Sequence, residues 1–375
     1  VRYHFKKKRY IFLARLLDLV GSPAKRLRRG RLPRDFKKIL IVRLDHLGDV
    51  VLSTAMPKAV KEAFPESRLV FLTSSGGASL LQGNPFVDNI LVYDAPWFSR
   101  GGAGRGSYLK TVAALRAEHF DVGIAPRGDL RENALMALAG VRERIGYGVT
   151  GGGFLLTREG RYPETAHEIE SSRQLLKMLG AEFPSFNPAV YLSDAERGGF
   201  AAKLAEWGMD KDKRYVGFQP EAGYPSKNWP AGHVRDFVDG FVREFGDREL
   251  VVVGERGRGT VELPGGVRAL DLRGRTTLRE LCYLMEFFDF FVGPDSGPAH
   301  LASARGVPTL FLYSGTNTFE RWRPLEDSAF VLRREVPCSP CHLNICNVPG
   351  HPCMTGILPE DALNVLRLHL KNAAR

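Results

Sequence analysis

Three short segments of the chain carry residue types that move protons or hold phosphates. The first is Arg43-Leu44-Asp45-His46-Leu47-Gly48-Asp49. It sets a carboxylate, Asp49, directly after a glycine that lets a ligand or another backbone come close. A carboxylate in that place is a candidate general base. The plainer alternative is an acidic residue in the first turn of a helix, favoured there by the macrodipole. The second segment runs from Pro220 to Pro230 and contains Glu221-Ala222-Gly223 and Lys227. Free backbone N–H groups beside a lysine form a cradle for a diphosphate, the alternative being an ordinary loop with a solvated lysine. The third is Gly293-Pro294-Asp295-Ser296-Gly297-Pro298-Ala299-His300. Asp295, Ser296 and His300 gather polar groups after an apolar run, and Gly297 permits close approach of a ligand, although a lone histidine at this spacing is also compatible with a satisfied core residue.

A fourth group is the array Cys338, Cys341, Cys346 and Cys353, with His342 and His351 between them and Cys282 far away. Four soft ligands within sixteen residues can surround one ion tetrahedrally, so a structural zinc or iron is expected, with free or paired thiols as the alternative. Such an ion would pin its segment, since catalytic zinc keeps an open position. Arg127, Arg131 and Arg144 are candidates to meet an anionic ligand such as a phosphate, against a reading as solvent-facing residues or ion-pair partners.

These segments need rigid elements behind them. The run Lys38–Arg43 is an apolar strand leading into a helical pattern that continues to about Phe64. Further strands are expected over 69–72, 89–93 and 122–125, separated by helical periods, and a second series follows a Pro-bearing stretch at 183–188. That series alternates strands at 215–219, 250–254, 268–272, 290–292 and 309–312 with helices at 194–207, 230–245, 277–288 and 297–304, before a last helix over 359–372. The glycine-rich run 101–106 is expected to be a mobile loop. Repeated strand–helix units imply parallel sheets covered on both faces. The expectation is therefore α/β, two Rossmann-like doubly wound domains facing a central cleft, with ligands at the carboxyl ends of the strands. At 375 residues and 44% hydrophobic content, two domains are the natural size. We place a basic leader at 1–37, a first domain at 38–186, a second at 187–337 and a Cys-rich segment with a closing helix at 338–375.

The net charge of +11 does not indicate a nucleic-acid partner, because residues 1–38 alone carry +12. Within that leader, residues 11–20 are largely apolar but broken by Arg15 and Asp18. The run is too short to span a bilayer and lacks a cleavage site. An amphipathic helix between cationic clusters suits an anionic membrane surface. A solvated arm, or a helix packed on the body of the protein, is the other reading.

The three segments in this order, together with Leu272-Arg273-Gly274-Arg275-Thr276-Thr277-Leu278 and Tyr313-Ser314-Gly315-Thr316, resemble the family 9 glycosyltransferases from about Lys38 to Leu366. The resemblance implies the GT-B architecture and inverting transfer of a sugar, heptose from ADP-heptose in the best known members, to lipopolysaccharide core or a related lipid-linked glycan. It implies a base at Asp49, a phosphate-binding lysine at Lys227 and a donor contact at Asp295 with Gly297 and His300 beside it, and no catalytic cofactor; Ser296 or Thr316 is expected to supply the donor-side hydroxyl that Gly223 lacks, and Arg127, Arg131 and Arg144 to meet phosphates or acidic sugars of the acceptor. Relatives commonly have Gly-Ala-Ser where this chain has Glu221-Ala222-Gly223, so a hydroxyl is lost at Gly223 and another nucleotide sugar is an alternative. A sugar-nucleotide epimerase fits the same fold but not the Asp49 loop and the Asp-Ser-Gly-Pro-x-His run. A non-catalytic, membrane-tethered binding protein is the alternative from another class. The expected location is cytoplasmic, peripheral on the inner face of the cytoplasmic membrane.

Overall fold

The computed structural model describes residues 8–26, 35–97, 107–255, 263, 269–325 and 327–372. The glycine-rich run 101–106 and most of the leader's cationic clusters lie outside the described residues. The chain divides into two units, Val1–Tyr191 and Leu192–Arg375. The second unit takes in residues 338–375 as well, because Cys353, Met354, Ile357, Leu363 and Leu366 pack into its core with Phe237, Phe241 and Val292.

The first unit holds β1 (Lys38–Arg43), β2 (Arg68–Thr73), β3 (Asn89–Val92), β4 (Val122–Ala125), β5 (Glu143–Gly146) and β6 (Arg158–Glu159) in the order β3-β2-β1-β4-β5-β6. Every pairing is parallel. Ile39, Leu40, Ile41 and Val42 are fully buried, which is why β1 reads as an unbroken apolar run: helices cover both faces of a parallel sheet. The helical pattern after β1 is two helices, Leu47–Ser53 and Ala55–Ala63. Between them Thr54 donates its hydroxyl to the Val51 carbonyl at 2.6 Å.

The second unit repeats the plan with β7 (Tyr215–Phe218), β8 (Glu249–Val252), β9 (Ala269–Asp271), β10 (Phe288–Pro294), β11 (Thr309–Tyr313) and β12 (Ala329–Arg333), in the order β12-β11-β10-β7-β8-β9. Both sheets are parallel and doubly wound. In each, strand order reverses beside the first strand, between β1 and β4 and between β7 and β10. A crevice at the carboxyl ends of such a pair is where open α/β sheets bind ligands.

In the leader, a helix spans Lys8–Arg26 and docks on the first unit. Its Ala14 is buried, and Asp18 Oδ1 accepts the Gly152 N–H at 2.8 Å. A Cβ at Gly21 would come within 2.3 Å of the Phe154 ring, so glycine is what lets the helix lie against it. Its other face exposes Phe12, Leu16, Leu19 and Val20. No helix among the described residues is long and apolar enough to cross a membrane.

Candidate active site

Each unit presents a charged cluster at the carboxyl end of its switch-point strands. In the first, β1 ends at Arg43, whose side chain is 1% exposed. Its guanidinium NH1 meets Glu168 Oε1 at 2.8 Å, and its NH2 lies 3.3 Å from both Asp45 Oδ2 and Asp49 Oδ1. Burial works against that charge, but Glu168, Asp45 and Asp49 together hold the Arg43 pKa above its ordinary value. Asp45 Oδ1 also takes Arg127 NH1 at 2.5 Å and the His46 N–H at 2.8 Å. Burial and the neighbouring charge of Asp49 push the Asp45 carboxyl up, against the pull of Arg127 and Arg43. Asp49 is the more exposed of the two carboxylates, 19% against 8%, and so the one better placed to meet a ligand.

Arg127 comes from the loop after β4 and reaches the Leu44 carbonyl at 3.5 Å, while the Leu44 N–H donates to Glu132 Oε1 at 3.0 Å. Gly128 turns this loop at φ +76°, where a Cβ would press on Tyr147 and Val149. Glu132 is fully buried and its Oε2 has no hydrogen-bond partner among the described residues. Burial pushes its pKa up to about 8 despite Arg127, so at neutral pH this carboxyl is mostly protonated.

The structure brings Asp49 and Arg127 together and sets Arg131 close by in the chain. Arg131 forks onto Asp129 at 2.8 and 2.5 Å and lies over the Trp97 ring at 4.3 Å. Arg144 is held differently. It starts near the amino end of β5, is 8% exposed, and spends its guanidinium on the carbonyls of Val141, Arg142 and Leu155.

In the second unit, β10 delivers Asp295, 2% exposed. Its Oδ1 meets His300 Nε2 at 3.1 Å, and its Oδ2 accepts from Lys227 Nζ and Asn317 Nδ2, both at 2.8 Å. Lys227 Nζ also donates to the Asp295 backbone carbonyl at 2.8 Å. Burial alone would raise the Asp295 pKa, but Lys227 and His300 outweigh it and hold the carboxyl well below the usual range. Ser296 stands at the N-terminal boundary of the helix Gly297–Ala304 and, in place of capping it, donates its hydroxyl to Gln219 Oε1 at 2.7 Å. Gly223 lies in the loop that Asn228 ties down by accepting the Ala222 N–H at 2.7 Å. Thr316 is buried, its hydroxyl 3.2 Å from Ser226 Oγ.

Sequence reasoning passed over Asp45 and Arg43, although both stand inside the segment it singled out. It stopped one residue short of Asn317, and nothing in the local pattern marked Glu132 or Glu168.

Cys338, Cys341, Cys346 and Cys353 line one small cavity in the second unit, and all are free thiols. Burial and the three facing thiols push Cys353 up. Their soft, convergent donor set suits zinc or iron. As arranged, however, no group of three or more His, Cys, Asp or Glu among the described residues is set to hold a metal ion.

Residues 108–350 match glycosyltransferase family 9 (heptosyltransferase). The lipooligosaccharide heptosyltransferase 2 of Campylobacter jejuni, serotype O:2, is 26% identical over 352 residues, covering 90% of this chain and 99% of the relative. Among solved structures, a family 9 glycosyl transferase of Veillonella parvula superposes with a TM-score of 0.78 at 20% identity, covering 92% of this chain and all of that one. The ADP-heptose lipopolysaccharide heptosyltransferase II of Escherichia coli does so with 0.72 at 19%, covering 90% and 100%. The fold of two parallel α/β units is thus shared with known transferases, and the chain belongs to glycosyltransferase family 9, the heptosyltransferase family.

Proposed function

We propose that this glycosyltransferase moves heptose from ADP-heptose onto lipopolysaccharide core or a related lipid-linked glycan, with inversion at the anomeric carbon. The observation that carries this reading is the grip of Asp295 on Lys227. An ammonium has three N–H donors, and two are taken at 2.8 Å by Asp295. The third, with the positive charge, remains for the diphosphate. N–H groups at the start of the helix Gly297–Ala304 add to that grip, so the departing charge is met without a catalytic cofactor. His300 fixes the other side of Asp295. Asp49 takes the proton of the acceptor hydroxyl as its oxygen attacks the anomeric carbon. The C–O bond to the diphosphate then breaks, and the electron pair leaves with the nucleotide. Arg127 and Arg131 are the acceptor-side cations.

A second reading keeps the chemistry and changes the donor, because Gly223 offers no hydroxyl and that of Thr316 is engaged by Ser226. Titrating the protein with ADP-, UDP-, GDP- and CMP-sugars tests the choice. ADP-heptose should bind tightest, and a clear preference for another nucleotide would replace it.

For location, the reading is peripheral, on the anionic cytoplasmic face of the membrane. Its support is the charge of +12 over residues 1–38 beside the exposed Phe12, Leu16, Leu19 and Val20 of the docked helix. The four cysteines take a structural zinc or iron in this reading, supported by their common cavity. Elemental analysis of protein purified without added metal tests that assignment.

A further inference from the structure

The cysteine segment is tied to the donor-side cluster at every turn. Ser226 donates its N–H to the Asn344 carbonyl at 3.0 Å and its hydroxyl to the Leu343 carbonyl at 2.6 Å. His351 Nε2 lies 3.0 Å from the Ser226 carbonyl. On the other loop, Cys341 N–H donates to the Gly315 carbonyl at 3.0 Å and His342 N–H to the Thr316 carbonyl at 2.9 Å. Ser226 and Thr316 close the ring through their hydroxyls at 3.2 Å.

The two clamped residues share one property. Ser226 immediately precedes Lys227 and Thr316 immediately precedes Asn317, and these are the two donors on Asp295 Oδ2, each at 2.8 Å. The segment that holds residues 226 and 316 therefore sets where both donors stand around one carboxylate oxygen. The backbone bends to do it: His342 and His351 have φ of 52° and 48°, a left-handed conformation costly outside glycine and kept where surrounding contacts demand it.

We propose that the cysteine segment is a clamp that aims Lys227 at the donor diphosphate, with His351 as its positioning residue. His351 does not touch the donor; its ring N–H holds the Ser226 carbonyl and thereby fixes the Ser226–Lys227 step. This rests on Lys227 being the diphosphate ligand.

The test compares wild type with H351A, H351Q and T316V. Binding of ADP, UDP and GDP is titrated, and the donor KM is separated from kcat. H351A removes the donor to Ser226, whereas H351Q restores one at the same strained backbone, so their difference isolates the hydrogen bond. T316V removes the Ser226–Thr316 contact with nearly unchanged volume. The expected result is roughly tenfold weaker nucleotide binding and a raised donor KM in H351A and T316V, as for one lost hydrogen bond. The acceptor KM should be unchanged and H351Q near wild type. Wild-type nucleotide affinity in folded H351A and T316V would overturn the clamp. If H351A does not fold, T316V decides alone. K227A separates the underlying reading: if it binds nucleotide like wild type, Lys227 is not the ligand, whatever the clamp variants do.

Discussion

Lys227 meets Asp295 twice, at the carboxylate Oδ2 and at the backbone carbonyl, each 2.8 Å from Nζ. A single contact would let the ammonium swing about the carboxylate. Two fix its direction, and they do so in a place where Asp295 is 3% and Lys227 13% exposed along the side chain. Asn317 and His300 complete the carboxylate's partners, so Asp295 is a fixed anchor with little freedom to act as a base.

Replacing Asp295 by Asn should therefore cost both stability and donor affinity. Removing one partner of a buried pair typically costs about 3–5 kcal/mol, visible as a lower Tm. Wild type should also show an acid-sensitive component that the variant lacks. A carboxyl whose folded pKa is depressed stabilises the fold above its ordinary value of 3.8, and that contribution is lost as pH falls through the lower folded value. Urea midpoints for both proteins between pH 2.5 and 6 measure it, and parallel curves would show that the pairing contributes nothing.

The two carboxylates after β1 should separate by assay. D49A is expected to lower kcat by about 10²–10⁴-fold, the usual contribution of a general base, with nucleotide binding intact. D45N removes one charged partner each from Arg127 and Arg43 in a more buried place, so it should lower Tm as well as turnover. Transfer that survives in D49A would remove Asp49 from the reaction and direct attention to Asp45.

Where the chain runs apolar, its fold was legible. β1, β4 and the helix Gly297–Ala304 fall where hydrophobic runs and glycine–proline breaks put them. β5 did not declare itself, because two of its four residues are Glu143 and Arg144. Both are buried: Glu143 accepts from Thr157, fourteen positions on, and Arg144 donates to the carbonyls of Val141 beside it and of Leu155, eleven positions on. A hydropathy pattern reports burial of apolar groups and is silent on polar groups satisfied by distant partners. The same limit applies to the site. Lys227 and Asp295 were legible as motif residues, but Glu132 and Glu168 matter through Leu44 and Arg43, 88 and 125 positions away. Arg144 was legible as a charge, but the carbonyls of Val141, Arg142 and Leu155 that its guanidinium meets were not.

Glu132 makes a pH prediction with a definite sign. Its pKa is 4.5 unfolded and about 8 folded, so between those values the folded protein holds a proton that the unfolded chain releases. Stability then falls as pH rises through this window, at up to roughly 1.4 kcal/mol per pH unit, and this contribution levels off above it. E132Q keeps an oxygen for the Leu44 N–H and removes the titration. Its urea midpoint should change less between pH 5 and 9 than that of wild type. An equal pH dependence in the two proteins would mean that Glu132 is ionised in the fold.

The docked leader helix divides its residues between two tasks, and substitutions can address one at a time. Ala14, Asp18 and Gly21 face the first unit, while Phe12 and Leu19 are 71% and 72% exposed. Charging the outer face, as in the pair F12E and L19E, leaves the docking contacts in place and should leave Tm within about 1 °C of wild type, as expected for exposed positions. If that face enters the acyl boundary of an anionic membrane, the pair should lose roughly tenfold or more in partition to phosphatidylglycerol vesicles, since each large side chain contributes about 1.5–3 kcal/mol when buried. Charge alone would behave differently. Binding by the leader's cations would fall steeply from 50 to 500 mM salt, and the glutamates would weaken it only through their charge. Substituting F12S and L19S, which removes apolar area without adding charge, distinguishes the two. A large loss with serine means insertion, and wild-type binding with serine means the helix is held at the surface by its charge.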